Sequence, residues 1–289
     1  MDKLLISTQE LDELLGQPAS GAQAEGPNLV LLDARPMMSY LFSHIPRAIN
    51  VNWKDFSDPS TPVKGLLDPD LGRLEKKIGD LGISQDRRVI VYADPFESWG
   101  DDGRIYWMLS YLGHPSVQVL DGGWFKWKRE AKRVERGPGK SSASGGSGGV
   151  PAEFKARVNP ALLMVKDELK QNVNPIPPGM AIIDARTRDE YLGVRSSGLP
   201  REGHIPGAVN IPWDSFYNAD GTVKSAEEIR NIVGRSEVTE DKEVVTYCTG
   251  GIRSSWLLFT LKLAGFEKIK NYAGSWMEWS RDSDLPIER

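Results

Sequence analysis

Hydrophobic positions along this chain fall into two kinds of run. Residues 29–34 (LVLLDA), 88–93 (RVIVYA), 181–185 (AIIDA) and 243–248 (EVVTYC) are short, rich in β-branched side chains and free of polar alternation, the pattern of strands buried on both faces. Between them lie stretches of helical pattern, residues 103–113 (GRIYWMLSYLG) and 254–265 (SSWLLFTLKLAG), which end on Gly113 and Gly265, where a glycine suits a helix C-terminus. Residues 1–15 read as an amphipathic helix with Asp12 and Glu13 towards water. Strands separated by helices require right-handed crossovers. The predicted class is α/β, with parallel sheets flanked by helices on both faces.

The pattern is written twice. LLDARPMMSYLFSHIPRAINVN at 31–52 has its landmarks repeated at 182–212 as IIDAR, EYL and GHIPGAVNIP. Asp33 matches Asp184, His44 matches His204, Tyr92 matches Tyr247, and Trp124 and Trp127 match Trp276 and Trp279. Repetition of a whole set of elements in order predicts two domains of one fold. The run GPGKSSASGGSGGV at 137–150 has no apolar pattern and abundant Gly and Ser, the composition of a flexible linker. The expected organisation is a domain over 1–136, a linker over 137–153 and a domain over 154–289.

Length agrees, since 289 residues suffice for two cores of ordinary size. The net charge of -4 comes from 36 basic and 40 acidic residues interspersed along the chain, which argues against nucleic acid and against a polybasic membrane contact. No apolar run is long enough to span a bilayer. The N-terminus lacks a basic start followed by an apolar core, so the expectation is a cytoplasmic chain. Two pseudo-symmetric halves also favour a monomer.

The single cysteine, Cys248, excludes a disulfide framework and a multi-cysteine metal site, leaving buried filler or a nucleophile. Its surroundings decide. Cys248 follows the strand EVVTY and precedes Thr249, Gly250, Gly251, Ile252, Arg253 and Ser254, with a helix expected from about Ser255. There the turn amides and the helix start can stabilise a thiolate or persulfide. The glycines let the turn curl, and Arg253 adds a full positive charge. A filler cysteine needs none of this. The chemistry predicted is double displacement through a persulfide, without cofactor or metal, because sulfur arrives and leaves as an anion.

With those residues the chain resembles the tandem-domain rhodanese family, the thiosulfate and 3-mercaptopyruvate sulfurtransferases. The resemblance rests on DAR at 184–186, GHIPGAVN at 203–210, YCTGGIRSS at 247–255 and GSWMEW at 274–279. It implies that only the second domain is catalytic, and Ala93 stands at the place of Cys248. It also implies that the first domain closes one wall of a cleft, with Asp33, Arg35 and the acidic loop after Ala93 as lining candidates. A small anionic sulfur donor and a thiophilic acceptor, either cyanide, a thiol or a thioredoxin-like protein, are the partners it suggests.

The loop departs from both family patterns. Thiosulfate-type members carry basic residues directly after the cysteine, and mercaptopyruvate-type members read CG, Ser or Ala, then GVT, whereas this chain reads CTGGIR. The family's donor-contacting arginine before the aromatic residue is here Glu190. Arg195 and Arg201, on the insertion at 193–202, are candidates to replace it or else a solvated loop. Arg186 is a candidate donor contact or the partner of Asp184. His44, His114 and His204 read as structural, and the paired tryptophans as core anchors.

Three rival functions remain. A cysteine phosphatase or arsenate reductase needs a loop of five residues between cysteine and arginine, and here there are four. A non-catalytic interaction module is opposed by the intact cysteine loop. A persulfide carrier serving a biosynthetic partner shares every feature with the parent reading.

Overall fold

The computed structural model of the protein describes residues 3–16, 28–139, 151–195 and 198–289. The chain forms two units. The first comprises Met1–Phe56, Asp68–Val158 and Asn218–Val223, and the second Ser57–Leu67, Asn159–Tyr217 and Lys224–Arg289. Of the linker expected over 137–153, residues 140–150 lie outside the described residues. Residues expected to open the second domain belong to the first unit, where Arg157 donates its backbone N–H to Leu112 O at 2.8 Å and Phe154 is buried.

In the first unit the strands are β1 (Leu5–Ile6), β2 (Leu29–Asp33), β3 (Ile49–Asn50), β4 (Arg88–Tyr92) and β5 (Val117–Leu120), with helices α1 (Thr8–Gly16), α2 (Met37–Phe42), α3 (Leu71–Asp80), α4 (Asp101–Tyr111) and α5 (Gly123–Arg129). The second repeats the series with β6 (Leu163–Met164), α6 (Lys166–Gln171), β7 (Met180–Asp184), α7 (Arg188–Tyr191), β8 (Val209–Asn210), α8 (Ala226–Gly234), β9 (Glu243–Tyr247), α9 (Arg253–Leu263), β10 (Ile269–Tyr272) and α10 (Ser275–Trp279). The strand orders, β1-β5-β4-β2-β3 and β6-β10-β9-β7-β8, are the same, and every pairing is parallel. The α/β architecture expected from the hydrophobic runs is what forms.

Helix α9 is buried on every side from Arg253 to Leu261, as a helix apolar all round must be. Chain order reverses between β7 and β9, since β8 lies beyond one and β10 beyond the other. Parallel sheets open a crevice at the carboxyl ends of their strands at such a point, and Cys248 follows directly on β9.

Identical polar clusters lock both units at the carboxyl end of the first long strand. Arg186 Nη2 donates to Asp184 Oδ2 at 2.6 Å and to Gly203 O at 2.7 Å, and Nε reaches Asp184 Oδ1 at 3.0 Å. Its guanidinium lies 4.8 Å from the Trp276 ring centre. In the first unit Arg35 pairs with Asp33 Oδ2 at 2.5 Å and lies 4.0 Å from the Trp124 ring. Asn210 Nδ2 ties Asp184 O to Arg186 O, as Asn50 Nδ2 ties Asp33 O to Arg35 O. His204 and His44 stack on Tyr191 and Tyr40 with centroids 3.6 and 4.0 Å apart, and both are buried. The histidines, tryptophans and aspartate–arginine pairs are therefore shared architecture.

Removing one partner of a fully buried ion pair strands a charge, at a cost of about 3–5 kcal/mol. Asp184→Ala should lower the stability of the second unit by about that amount in urea unfolding, and Asp33→Ala should do the same to the first. An unchanged unfolding midpoint in either variant would show that the pair does not hold its unit together.

Candidate active site

Cys248 is buried, with 1% of its surface exposed, and its thiol is free of any disulfide. The chain turns sharply after it. Gly251 adopts φ of +84°, and a Cβ there would sit 2.5 Å from Ala273 O, so glycine is required on both counts. That conformation aims the Gly251 N–H at Cys248 Sγ, at 3.1 Å. Helix α9 begins at Arg253, two residues earlier than the expected Ser255, which brings its first amides to the sulfur. Ser254 Oγ lies 3.7 Å from Sγ and donates to Asn271 Oδ1 at 2.7 Å.

Burial would raise the thiol pKa. The positive charge of Arg253, the amide and hydroxyl of Ser254 and the Gly250 amide outweigh it, and the thiol lies below its ordinary value.

The base of the loop is braced by α10. Cys248 N–H donates to Ser275 Oγ at 3.1 Å, while Cys248 O and Thr249 O accept from Trp276 N and Met277 N at 2.9 and 2.8 Å. Ser255 Oγ closes the far side on Gly251 O at 2.6 Å, and Asn271 Nδ2 donates to Ser255 Oγ at 2.9 Å. Gly65, also in the second unit, has its Cα so close that a Cβ would lie 1.9 Å from Ala273 O and 2.5 Å from Gly250 O.

Arg253 does not stand open on the loop. Its Nη1 and Nη2 grip Glu190 Oε2 and Oε1 at 2.8 and 2.9 Å, and Nη2 also donates to Thr249 Oγ1 at 2.6 Å. Thr249 Oγ1 in turn donates to Glu190 Oε1 at 3.0 Å. Glu190 already caps α7, accepting from Thr187 N–H at 3.1 Å and from the Thr187 hydroxyl at 2.9 Å. Partial burial would raise its carboxyl, but Arg253 and Thr187 outweigh this and hold it at about 2.

Of the sequence candidates, Thr249, Gly250, Gly251, Ile252, Arg253 and Ser254 form the turn around the sulfur. Arg186 is fully buried against Asp184. Arg195 is exposed. Arg201 braces the C-terminal segment, donating to Ser280 O at 3.0 Å, Leu285 O at 2.7 Å, Trp279 O at 2.9 Å and Asp282 O. With its donors taken up there, Arg201 is a structural brace rather than a replacement anchor. Among the described residues no group of three His, Cys, Asp or Glu side chains gathers to hold a metal.

Sequence reasoning missed Asn271, Ser275, Thr246 and Gly65. Comparison of the halves held a signal for the first three. Thr246, whose hydroxyl holds Ser254 O at 3.0 Å, matches Val91, Asn271 matches Val119, and Ser275 matches Gly123. Each is a polar side chain at a buried place where the other half is apolar or bare. Ser275 even keeps the positive φ of its glycine counterpart, +54° against +51°, a strained conformation for a residue with a side chain. No such signal marks Gly65.

In the first unit Ala93 O accepts from Trp124 N at 2.8 Å, as Cys248 O does from Trp276. The turn amides beyond it are engaged by the chain itself, since Asp94 Oδ1 accepts from Phe96 N and Glu97 N at 3.0 and 3.2 Å.

A lone thiol ringed by turn amides at the carboxyl end of a central parallel strand defines an α/β domain built for thiolate chemistry. The chain belongs to the rhodanese family, for the rhodanese-like domain matches twice, over residues 9–130 and 165–282. It is 32% identical over 297 residues to the sulfur carrier protein TtuD of Thermus thermophilus, covering 99% of this chain and 97% of that one. It is 30% identical over 295 residues to the thiosulfate sulfurtransferase of Bos taurus, covering 96% and 92%. The anaerobic ergothioneine biosynthesis enzyme of Chlorobium limicola, solved with trimethyl histidine, shares the fold with a TM-score of 0.82 at 23% identity, over 100% of this chain and 72% of that one. The protein is a sulfurtransferase of tandem rhodanese domains. No helix among the described residues is long and apolar enough to cross a membrane.

Two variants test the cradle. Ser254→Ala removes the hydroxyl 3.7 Å from Sγ, whose one proton can turn from Asn271 Oδ1 to the thiolate, and so raises the thiol pKa. Alkylation of Cys248 by a small electrophile at neutral pH should slow about two- to tenfold and recover at alkaline pH; a rate unchanged at both would remove Ser254 from the cradle. Gly65→Ala must push the Ala273 and Gly250 carbonyls aside, and should slow the same alkylation while costing about 1–3 kcal/mol of stability.

Proposed function

We propose that this protein moves a sulfane sulfur from thiosulfate or a related donor to cyanide or a thiol acceptor through a persulfide on Cys248. The Gly251 N–H on Cys248 Sγ, at 3.1 Å, is the observation that carries the reading. The thiolate attacks the outer sulfur of thiosulfate. One S–S bond forms at Sγ as the donor's S–S bond breaks, and sulfite leaves with the bonding electrons. The terminal sulfur of the persulfide is then an anion held by turn amides. An incoming cyanide or thiolate takes that sulfur and the electron pair of the Cys248 S–S bond returns to Sγ, so no general base is needed.

Thiosulfate is supported by the 30% identity to a thiosulfate sulfurtransferase. 3-Mercaptopyruvate is the alternative small donor, since Arg253 and Thr249 suit a carboxylate as well. A second reading, carriage of sulfur between thiol-bearing partners, is favoured by the Glu190 carboxylate that neutralises Arg253. The first unit takes no sulfur, having Ala93 in place of the nucleophile.

Intact-mass measurement after incubation with each donor is the direct test. A gain of about 32 Da, one sulfur atom, is expected on the native protein and not on Cys248→Ser, and cyanide should reverse it with release of thiocyanate. A native protein that stays at its original mass with thiosulfate, 3-mercaptopyruvate and a thiol persulfide alike would refute persulfide transfer.

A further inference from the structure

The cysteine loop carries a fixed countercharge. Glu190 contributes no contact to Cys248 among those found at the sulfur, yet both of its oxygens are bound to the one cation of the loop, at 2.8 and 2.9 Å. The pair is largely withdrawn from water, with side-chain exposures of 8% for Arg253 and 14% for Glu190. Three further donors from Thr187 and Thr249 hold the carboxylate in place, so it cannot swing away without breaking the cap of α7. Its carboxyl at about 2 leaves it ionised at any pH at which the protein works.

The consequence is electrostatic. With Cys248 ionised, the thiolate and Glu190 supply two negative charges against the single positive charge of Arg253. A sulfur donor with a second anionic group must either approach that negative balance or displace Glu190 from the guanidinium. A donor whose sulfane sulfur rides on an otherwise uncharged thiol carries at most one negative charge, and none in the protonated form that gives up its outer sulfur, so it meets neither demand to the same degree. Its outer sulfur forms the new S–S bond to Sγ, the carrier leaves as a thiolate with the electrons of the broken one, and the persulfide proton passes to that thiolate or to water, leaving the terminal sulfur as the anion held by the turn.

We propose that Glu190 is a specificity residue that restrains the use of dianionic donors such as thiosulfate and leaves the site matched to sulfur carried as a thiol persulfide. This rests on the Cys248 persulfide reading above. The position tolerates a neutral side chain within the fold, since the first unit has Ser39 at the matching place.

The experiment measures kcat/KM of the full chain with thiosulfate and with the persulfide of 2-mercaptoethanol, for the native protein, Glu190→Gln and Glu190→Ser. Release of Arg253 should raise the thiosulfate value relative to the thiol persulfide value about tenfold in both variants. That gain should shrink as salt is added. A better-stabilised thiolate would speed both donors alike, so the ratio is the readout. A ratio that stays within twofold, or falls, overturns the proposal, including the case where both values drop together because Glu190 only braces the loop. If native protein gains no sulfur on Cys248 from either donor, the persulfide reading itself fails; sulfur gained with an unmoved ratio sinks the role of Glu190 alone.

Discussion

One hydrogen bond sets the shape of the reactive loop, the 3.1 Å contact from the Gly251 amide to Cys248 Sγ. It exists because Gly251 turns into the left-handed region against the Ala273 carbonyl, where a side chain cannot fit. A sulfur anion has few neutral partners that stabilise it, and backbone amides held by a helix start and a sheet end cost no reorganisation when the charge forms. The surrounding hydrogen bonds serve that geometry. Ser275 holds the Cys248 amide, Trp276 and Met277 hold the next two carbonyls, and Asn271 fixes Ser254 and Ser255.

The duplicated halves separate architecture from chemistry. The Asp–Arg pair, the Asn that ties it, the stacked Tyr–His pair and the tryptophan over the guanidinium occur in both units with nearly the same distances. They hold the strand ends together whether or not a nucleophile is present. The turn after β4 or β9 and the side chains beneath it differ between the halves. In one unit the amides face a thiol. In the other, Asp94 occupies two of them with its own carboxylate and Asp102 is buried at the helix start with its carboxyl pushed up to about 7, burial being the main cause. A neutral or self-capped turn needs no ligand, so the first fold persists without one.

The pairing of Arg253 with Glu190 shows how a residue's meaning depends on its neighbour. As a letter on a cysteine loop, Arg253 is an anion hook. Beside Glu190 it is half of a neutral, bidentate pair, whose remaining field still lowers the thiol pKa but whose guanidinium edge is occupied. Ion pairs of this kind, partly desolvated and geometrically matched, hold direction as much as charge.

The duplicated α/β architecture and the thiol's place in a turn between strand and helix were legible in the sequence because they depend on local facts. Strand burial shows as unbroken β-branched runs, duplication as repeated landmarks in order, and thiolate chemistry as a lone cysteine with two glycines and an arginine between a strand and a helix. The partners of the charged side chains depended on distance across the fold, and no local pattern encodes that. Glu190 and Arg253 are 63 residues apart and meet only because β7 and β9 are neighbours. Arg201 reaches carbonyls about 80 residues downstream rather than the loop. Gly65 is required by a carbonyl in a distant part of the chain. Sequence alone determined the fold and the place of its one thiol; tertiary packing decided which charges surround it, because a guanidinium bonds to whichever acceptor the sheet order brings within about 3 Å.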